Sequence, residues 1–252
     1  MNSYPRILPA GDAAVTVEFG AIIDPEINDL VLAFAGQLES LQVPGIIEVV
    51  PTYCSATVHV DPLRVDLEPL TERLAVLAQG ASRRPVRPGH TVEIPVVYGD
   101  EFGPDLSAVA AYAKRSIEET IALHCSVDYR CYMLGFSPGF PYLGQVPDTI
   151  AMPRLAEPRA TVPAGSVGIA GAQTGIYPQE SPGGWRVIGR TPLQLYEPAR
   201  SRPFLIEPGD RVRMVRIDRE EFERLAPSPS PLPGGAREGT NPLAPHQGRG
   251  QR

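Results

Sequence analysis

An α+β fold in two units is predicted by three features of the chain. The N-terminal run alternates short apolar strands with two amphipathic helices, an Arg/Pro/Gly-rich break follows, and the C-terminal half is made of short strands between Gly/Pro turns. The 252 residues allow one large or two small domains, and 42% hydrophobic content is enough to build a core.

In the first unit, 1–82, Tyr4–Leu8 and Ala13–Phe19 read as a strand pair joined by the turn Pro9-Ala10-Gly11-Asp12. Asp24 and Pro25 supply an N-cap and a first helical residue. Ile27, Leu30, Val31, Phe34, Leu38 and Leu41 follow at helical spacing, up to a stop before Pro44-Gly45. Ile46–Val50 and Ser55–Val60 are two more strands, the second with Ala56, Val58 and Val60 on one face and Thr57 and His59 on the other. Leu67, Leu70, Leu74 and Leu77 define a second helix. Both helices should cover one face of an antiparallel sheet, giving a small α/β sandwich.

Gly80–His90 has no apolar periodicity and concentrates Arg, Pro and Gly, which places a linker at 83–90. The second unit, 91–226, opens with the strand Thr91–Tyr98. A helix is predicted over Asp105–Ala113, and Ser116 with Glu119 forms a capping box for another that ends near His124. Val127–Leu134 returns to strand character. From Gly135 to Val215 the pattern of short strands between turns favours a closed barrel over β-α repeats. The tail, 227–252, has six prolines and five glycines and almost nothing to bury, so disorder is expected there.

Composition excludes several kinds of chemistry. A net charge of −6 argues against a non-specific nucleic-acid surface. Lys114 is the only lysine among 23 basic residues, and it sits in an Ala-rich helical stretch, so Schiff-base, P-loop and biotin-carrier roles all fit poorly. Cys54, Cys125 and Cys131 form no CxxC pair and are too few for a structural zinc site, so no metal is expected and the thiols should be reduced. No signal-peptide core and no membrane-spanning run are visible, and a cytoplasmic protein is expected.

Gly135–Thr191 concentrates the candidate chemistry. It holds 10 of the 24 glycines, yet carries Phe136, Phe140, Tyr142, Tyr177 and the only tryptophan, Trp185, and so reads as an ordered surface of turns and short strands. Gly135-Phe136-Ser137-Pro138-Gly139 matches the G-x-S-x-G of a hydrolase nucleophile elbow. Pro138 rules it out, because the residue after the nucleophile must donate a backbone N–H. Pro163–Gly175 has closely spaced glycines whose N–H groups could converge on an anion, with Ser166, Gln173 and Thr174 as added donors; a tight barrel corner is the equal alternative. Among the histidines only His124 stands near this stretch, as a capping or packed residue or as an acid/base. Arg154, Arg159 and Arg190 lie in sparsely charged, ordered sequence, where an arginine often pairs with a carboxylate, from the protein, where Glu157 is close, or from a ligand. Trp185 packs in the core or lines a groove.

The strings GFSPGFPYLG, EPRATVPAGSVGIAGAQTGIYP and SPGGWRVIGRTP, with ALHCSVDYR and EIPVVYG before them, resemble the family of 5-oxoprolinase B subunits, also called the KipI or allophanate-hydrolase-subunit-1 family. The match runs in order from Tyr4 to Phe222. The resemblance implies a ferredoxin-like N-terminal domain followed by a cyclophilin-like β-barrel. It further implies an ATP-hydrolysing opening of the cyclic amide 5-oxo-L-proline to L-glutamate, in a complex with the 5-oxoprolinase C subunit, of carboxyltransferase type, and the A subunit, of LamB/YcsF type. On the family motifs, His124, Arg159, Gln173 and Arg190 become the candidate catalytic residues. Phe136, Pro138, Phe140, Tyr142, Pro163, Ala164, Gly165, Ser166, Thr174, Tyr177, Trp185 and Thr191 become the candidate substrate-binding residues.

A five-membered lactam is an unreactive amide, and ATP would activate its carbonyl oxygen by phosphorylation. Arg159, Arg190, Gln173 and the Gly165–Gly171 amides are the groups available to meet the developing charge. Whether ATP is bound by this chain or only by the complex stays open, and a site shared with the C subunit is expected. Two other roles follow from the same resemblance: a KipI-like histidine-kinase inhibitor, or a part of an allophanate hydrolase or urea carboxylase system.

Overall fold

The computed structural model describes residues 4–81 and 89–226. The first sheet is built from β1 (Arg6–Pro9), β2 (Ala14–Glu18), β3 (Ile46–Pro51) and β4 (Ser55–Val60), antiparallel throughout in the order β1-β2-β4-β3. Helices α1 (Pro25–Ser40) and α2 (Leu67–Ala81) cover one face of it, as expected. Asp24 caps α1 by accepting the N–H groups of Glu26 and Ile27 at 2.8 and 3.0 Å. Val15, Val17, Val49, Ala56, Val58 and Val60 from the sheet pack on Val31, Phe34, Leu38, Leu70 and Leu74 from the helices. Leu41 departs from the expected apolar face: α1 stops one residue earlier, and Gln42 turns the chain at φ +44°, leaving the Leu41 side chain exposed.

The predicted linker at 83–90 falls outside the described residues up to 88, as does the tail, 227–252. Gly89 and His90 are packed on the barrel: a Cβ on Gly89 would lie 2.1 Å from the Gly209 carbonyl oxygen, and His90 N–H donates to Asp210 Oδ1 at 2.9 Å.

The second unit is a closed barrel. Its strands are β5 (Thr91–Tyr98), β6 (Asp128–Leu134), β7 (Pro141–Gly144), β9 (Ser166–Ala170), β10 (Gln173–Ile176), β12 (Arg186–Arg190) and β13 (Arg211–Arg216), in the order β10-β7-β6-β13-β5-β12-β9. The final strand β13 lies parallel to β5 along six registered pairs, from Arg211 opposite Thr91 to Arg216 opposite Val96. It is antiparallel to β6 on its other side. Between β7 and β12, β8 (Arg159–Val162) and β11 (Ser181–Gly183) form a separate two-stranded flap. Helices α3 (Leu106–Ala113) and α4 (Ile117–Cys125) pack Leu106, Val109 and Ile121 into the same core as the inward-facing strand residues. The Ser116/Glu119 capping box is formed, with both reciprocal bonds present. A short α5 (Arg219–Leu225) has no buried residue and is not foreshadowed by the sequence pattern; Asp218 caps it by accepting the Glu221 N–H. Among the described residues no helix is long and apolar enough to cross a membrane.

Candidate functional site

The aromatic residues of Gly135–Thr191 come together. Phe140 is fully buried at the hub, with its ring centroid 5.5 Å from Phe136, 5.0 Å from Tyr142, 5.2 Å from Tyr177 and 5.3 Å from Trp185, each pair edge to face. Gly175 permits this packing, because a Cβ there would fall 2.9 Å from both Phe140 Cζ and Trp185 Cζ3. Phe136 stands out at the rim, 63% exposed and at φ +65°, a conformation a non-glycine residue adopts only at a cost in energy. Exposed Pro138 follows it, and the chain then enters strand β7 rather than a helix, so no nucleophile elbow is built at Ser137.

The strip continues into the first unit, which the sequence does not reveal. Tyr142 meets the Tyr53 ring at 5.9 Å, and Tyr53 meets Tyr132 at 5.7 Å, so seven rings are linked across both units. Gln173 Nε2 donates a hydrogen bond to Tyr53 Oη, and burial pushes the Tyr53 phenol far above its ordinary pKa, keeping it neutral. Tyr53 is held by fully buried Asn28, whose Nδ2 donates to the carbonyls of Thr52, Tyr53 and Tyr132 at 3.0, 3.3 and 3.1 Å. Arg130 completes the joint by donating Nε–H to Asn28 Oδ1 at 3.0 Å while pairing with Asp29.

Arg159 is engaged by the protein. Its two Nη groups each donate at 2.8 Å to Asp105, which is buried at the head of α3 and also accepts the Val187 N–H at 2.7 Å. Its partner is therefore Asp105 rather than Glu157, and this pairing commits the Nη1/Nη2 end of the guanidinium to the protein, with one N–H of each Nη used. Arg190 is different: its Nε donates to the Ala164 carbonyl at 2.7 Å, and among the described residues no hydrogen bond engages its Nη groups. It lines an open cleft of about 480 Å³ with Ala164, Gly165, Pro178, Leu193, Gln194 and Phe222. Gly165 is required beside it, at φ +80°, because a Cβ would sit 2.2 Å from the Thr191 carbonyl oxygen.

The expected anion cradle is not formed by Gly165–Gly171. The Gly165 N–H donates to the Tyr177 carbonyl, that of Ser166 to Pro163 and that of Gly171 to Met152, while 166–170 form a strand paired on both sides. The glycines make a barrel corner, the other reading of the pattern. Ser166 and Thr191 are buried there, and Thr191 Oγ1 accepts the Leu193 N–H.

His124 lies inside the second unit, fully buried. Its Nδ1 is 2.8 Å from Tyr98 Oη and its Nε2 is 3.0 Å from Thr174 Oγ1. The Thr174 hydroxyl donates to the Gly168 carbonyl at 3.0 Å, so Nε2 carries the ring proton and Nδ1 accepts from Tyr98. Burial pulls the imidazole pKa down to about 3 and keeps it neutral. With both nitrogens occupied and no exposed surface, His124 positions Thr174 and does not meet a substrate, against the acid/base expectation.

The candidate residues thus fall in four places: the aromatic strip with Gln173, the Arg159–Asp105 pair, the Arg190 cleft, and the His124–Thr174 interior. Residues 5–206 match the family model described as carboxyltransferase domain, subdomain C and D. The chain is 43% identical over 233 residues to the 5-oxoprolinase B subunit of Bacillus subtilis, covering 86% of this chain and 95% of that protein. It is similar to the crystal structure of TTHA0988, with a TM-score of 0.72 and 40% identity over 81% of this chain; the chain spans only 40% of that longer polypeptide. The K. lactis urea amidolyase shares the fold at a TM-score of 0.70 and 20% identity, over 86% of this chain and 15% of the other. The chain belongs to the family of 5-oxoprolinase B subunits, built on subdomains C and D of the carboxyltransferase domain.

Proposed function

We propose that this chain is the B subunit of an ATP-dependent complex that opens 5-oxo-L-proline to L-glutamate, assembled with a C-type and an A-type subunit. The observation that carries the reading is the near full-length likeness to a protein named as the B subunit of 5-oxoprolinase. The geometry supports a shared site, because above the buried rings of Phe140, Tyr177 and Tyr132 the strip leaves Phe136 exposed and Tyr142, Tyr53 and Gln173 half-buried. ATP would activate the lactam oxygen by phosphorylation. The Gly165–Gly171 amides do not fit its phosphates, since they are committed to protein carbonyls and strand pairing, so nucleotide binding is assigned to the companion subunits. On this chain, exposed Phe136 and the half-buried Tyr142, Tyr53 and Gln173 offer a companion subunit an aromatic contact surface at the subunit junction.

The test is glutamate release from 5-oxo-L-proline, dependent on ATP, by the purified chain alone and after co-expression with C- and A-type subunits. Activity only in the assembled complex is expected. A stable complex that releases no glutamate would overturn the proposal.

A further inference from the structure

We propose that Arg190 and the cleft before it form a subsite for the carboxylate of a small lactam acid. The carboxylate class rests on the guanidinium, and the lactam rests on the function proposed above. Three observations carry the inference. Arg190 is anchored through Nε to the Ala164 carbonyl, so its side chain is held in place before any ligand arrives. Among the described residues its Nη groups have no hydrogen bond, and a planar guanidinium with one edge fixed presents the other edge to a carboxylate in two parallel bonds. Finally, it faces a concavity of about 480 Å³, within the range of small-ligand pockets.

The walls suit the rest of such a molecule. Pro178, Pro192, Leu193 and Phe222 offer apolar contact, and Gln194, whose Nε2 donates to the Tyr196 carbonyl, keeps Oε1 as an acceptor for a ring N–H. Among the described residues Glu180 is the only other charged one in the lining, and it is exposed. The other two candidate arginines are less suited. Arg159 has both Nη groups on Asp105, and Arg154 is exposed, with no hydrogen bond holding it among the described residues.

The experiment titrates the full chain with 5-oxo-L-proline and with 2-pyrrolidinone, the same lactam without its acid, and follows the arginine Nε–H signals by NMR. 5-Oxo-L-proline should shift the Arg190 signal and bind more tightly than 2-pyrrolidinone. In Arg190→Gln that preference should fall by about ten- to a hundredfold, the loss expected for hydrogen bonds to a charged group. Arg190→Lys, which keeps the charge and a donor toward Ala164, should retain part of it. A general loosening of the cleft would weaken both ligands alike and leave their ratio unchanged. The proposal is overturned by an unmoved Arg190 signal, by equal binding of the two lactams, or by a preference that survives Arg190→Gln and disappears in Arg154→Gln. Turnover in the complex with a silent Arg190 would remove the subsite and leave the function standing. An Arg190-dependent preference with no turnover in any complex would do the reverse.

Discussion

Asp105 and Arg159 face each other through two parallel hydrogen bonds, and the same carboxylate accepts the Val187 N–H, so one buried side chain ties the head of α3 to the flap strand β8 and to barrel strand β12. Arg159 is partly exposed, which tempers the worth of the pair. Asp105→Asn should cost about 2 kcal/mol in urea unfolding, because it leaves a guanidinium facing a neutral amide. In combination with Arg159→Gln the loss should be smaller than the sum of the two single effects. Additivity within error would mean that the contact contributes no coupling.

The His124 ring fixes a pH dependence. Its pKa in the folded chain is about 3, below the ordinary 6.5, so the unfolded chain binds the extra proton between these values and stability falls as pH falls through that window. The slope is at most about 1.4 kcal/mol per pH unit. Carboxylates add their own effects at lower pH, so the clean range is pH 6.5 to 5. His124→Gln should be less stable at pH 8 and should show a flatter stability profile across that range in denaturant titrations. An unchanged slope would mean that another group sets it.

Asn28 is the most connected side chain of the junction, with three backbone acceptors and the Arg130 donor. Asn28→Ala should cost about 3 kcal/mol, since it strands a nearly buried guanidinium and several carbonyls. Tyr53→Phe removes only the hydroxyl that meets Gln173 and should cost about 1 kcal/mol. Thermal melts of the two variants would show whether this order holds.

Phe136 separates stability from function. Replacing it by Gly relieves the φ +65° strain, worth about 1 kcal/mol, and gives up an exposed ring. The melting temperature should therefore stay level or rise. Glutamate release by the assembled complex should fall by about tenfold or more if the rim ring contacts the lactam or a companion subunit. Full activity would leave Phe136 without a role at the site.

Legible in the sequence is whatever depends on neighbours in the chain. The helices α1 and α4 can be read because Asp24-Pro25 and the Ser116/Glu119 box act within one turn, and β4 because its faces alternate. Helix α5 cannot, since it buries no face and leaves no apolar period to detect. At the site, the cluster Phe136, Phe140 and Tyr142 is visible in the sequence, but Tyr53 joins it from the other unit and carries no local signal. Proximity in sequence points Arg159 to Glu157, two residues away, whereas its partner is Asp105, 54 residues upstream. The glycine run looks able to hold an anion because spacing reveals nothing about where N–H groups point; strand pairing decides that.

The parallel pairing of β5 with β13 sets an order of events during synthesis. The barrel's seventh strand lies between its first two, β5 and β6, and is made last, about 120 residues after β5. Until Arg216 has left the ribosome, the facing edges of β5 and β6 stay open and the core residues Ile94, Val96 and Tyr129 are uncovered. The first unit, complete by Ala81, can fold well before this. The second must wait as an open sheet, which makes the nascent chain dependent on protection for that interval. A stop codon between β5 and β13 would leave a product that aggregates rather than a shortened barrel.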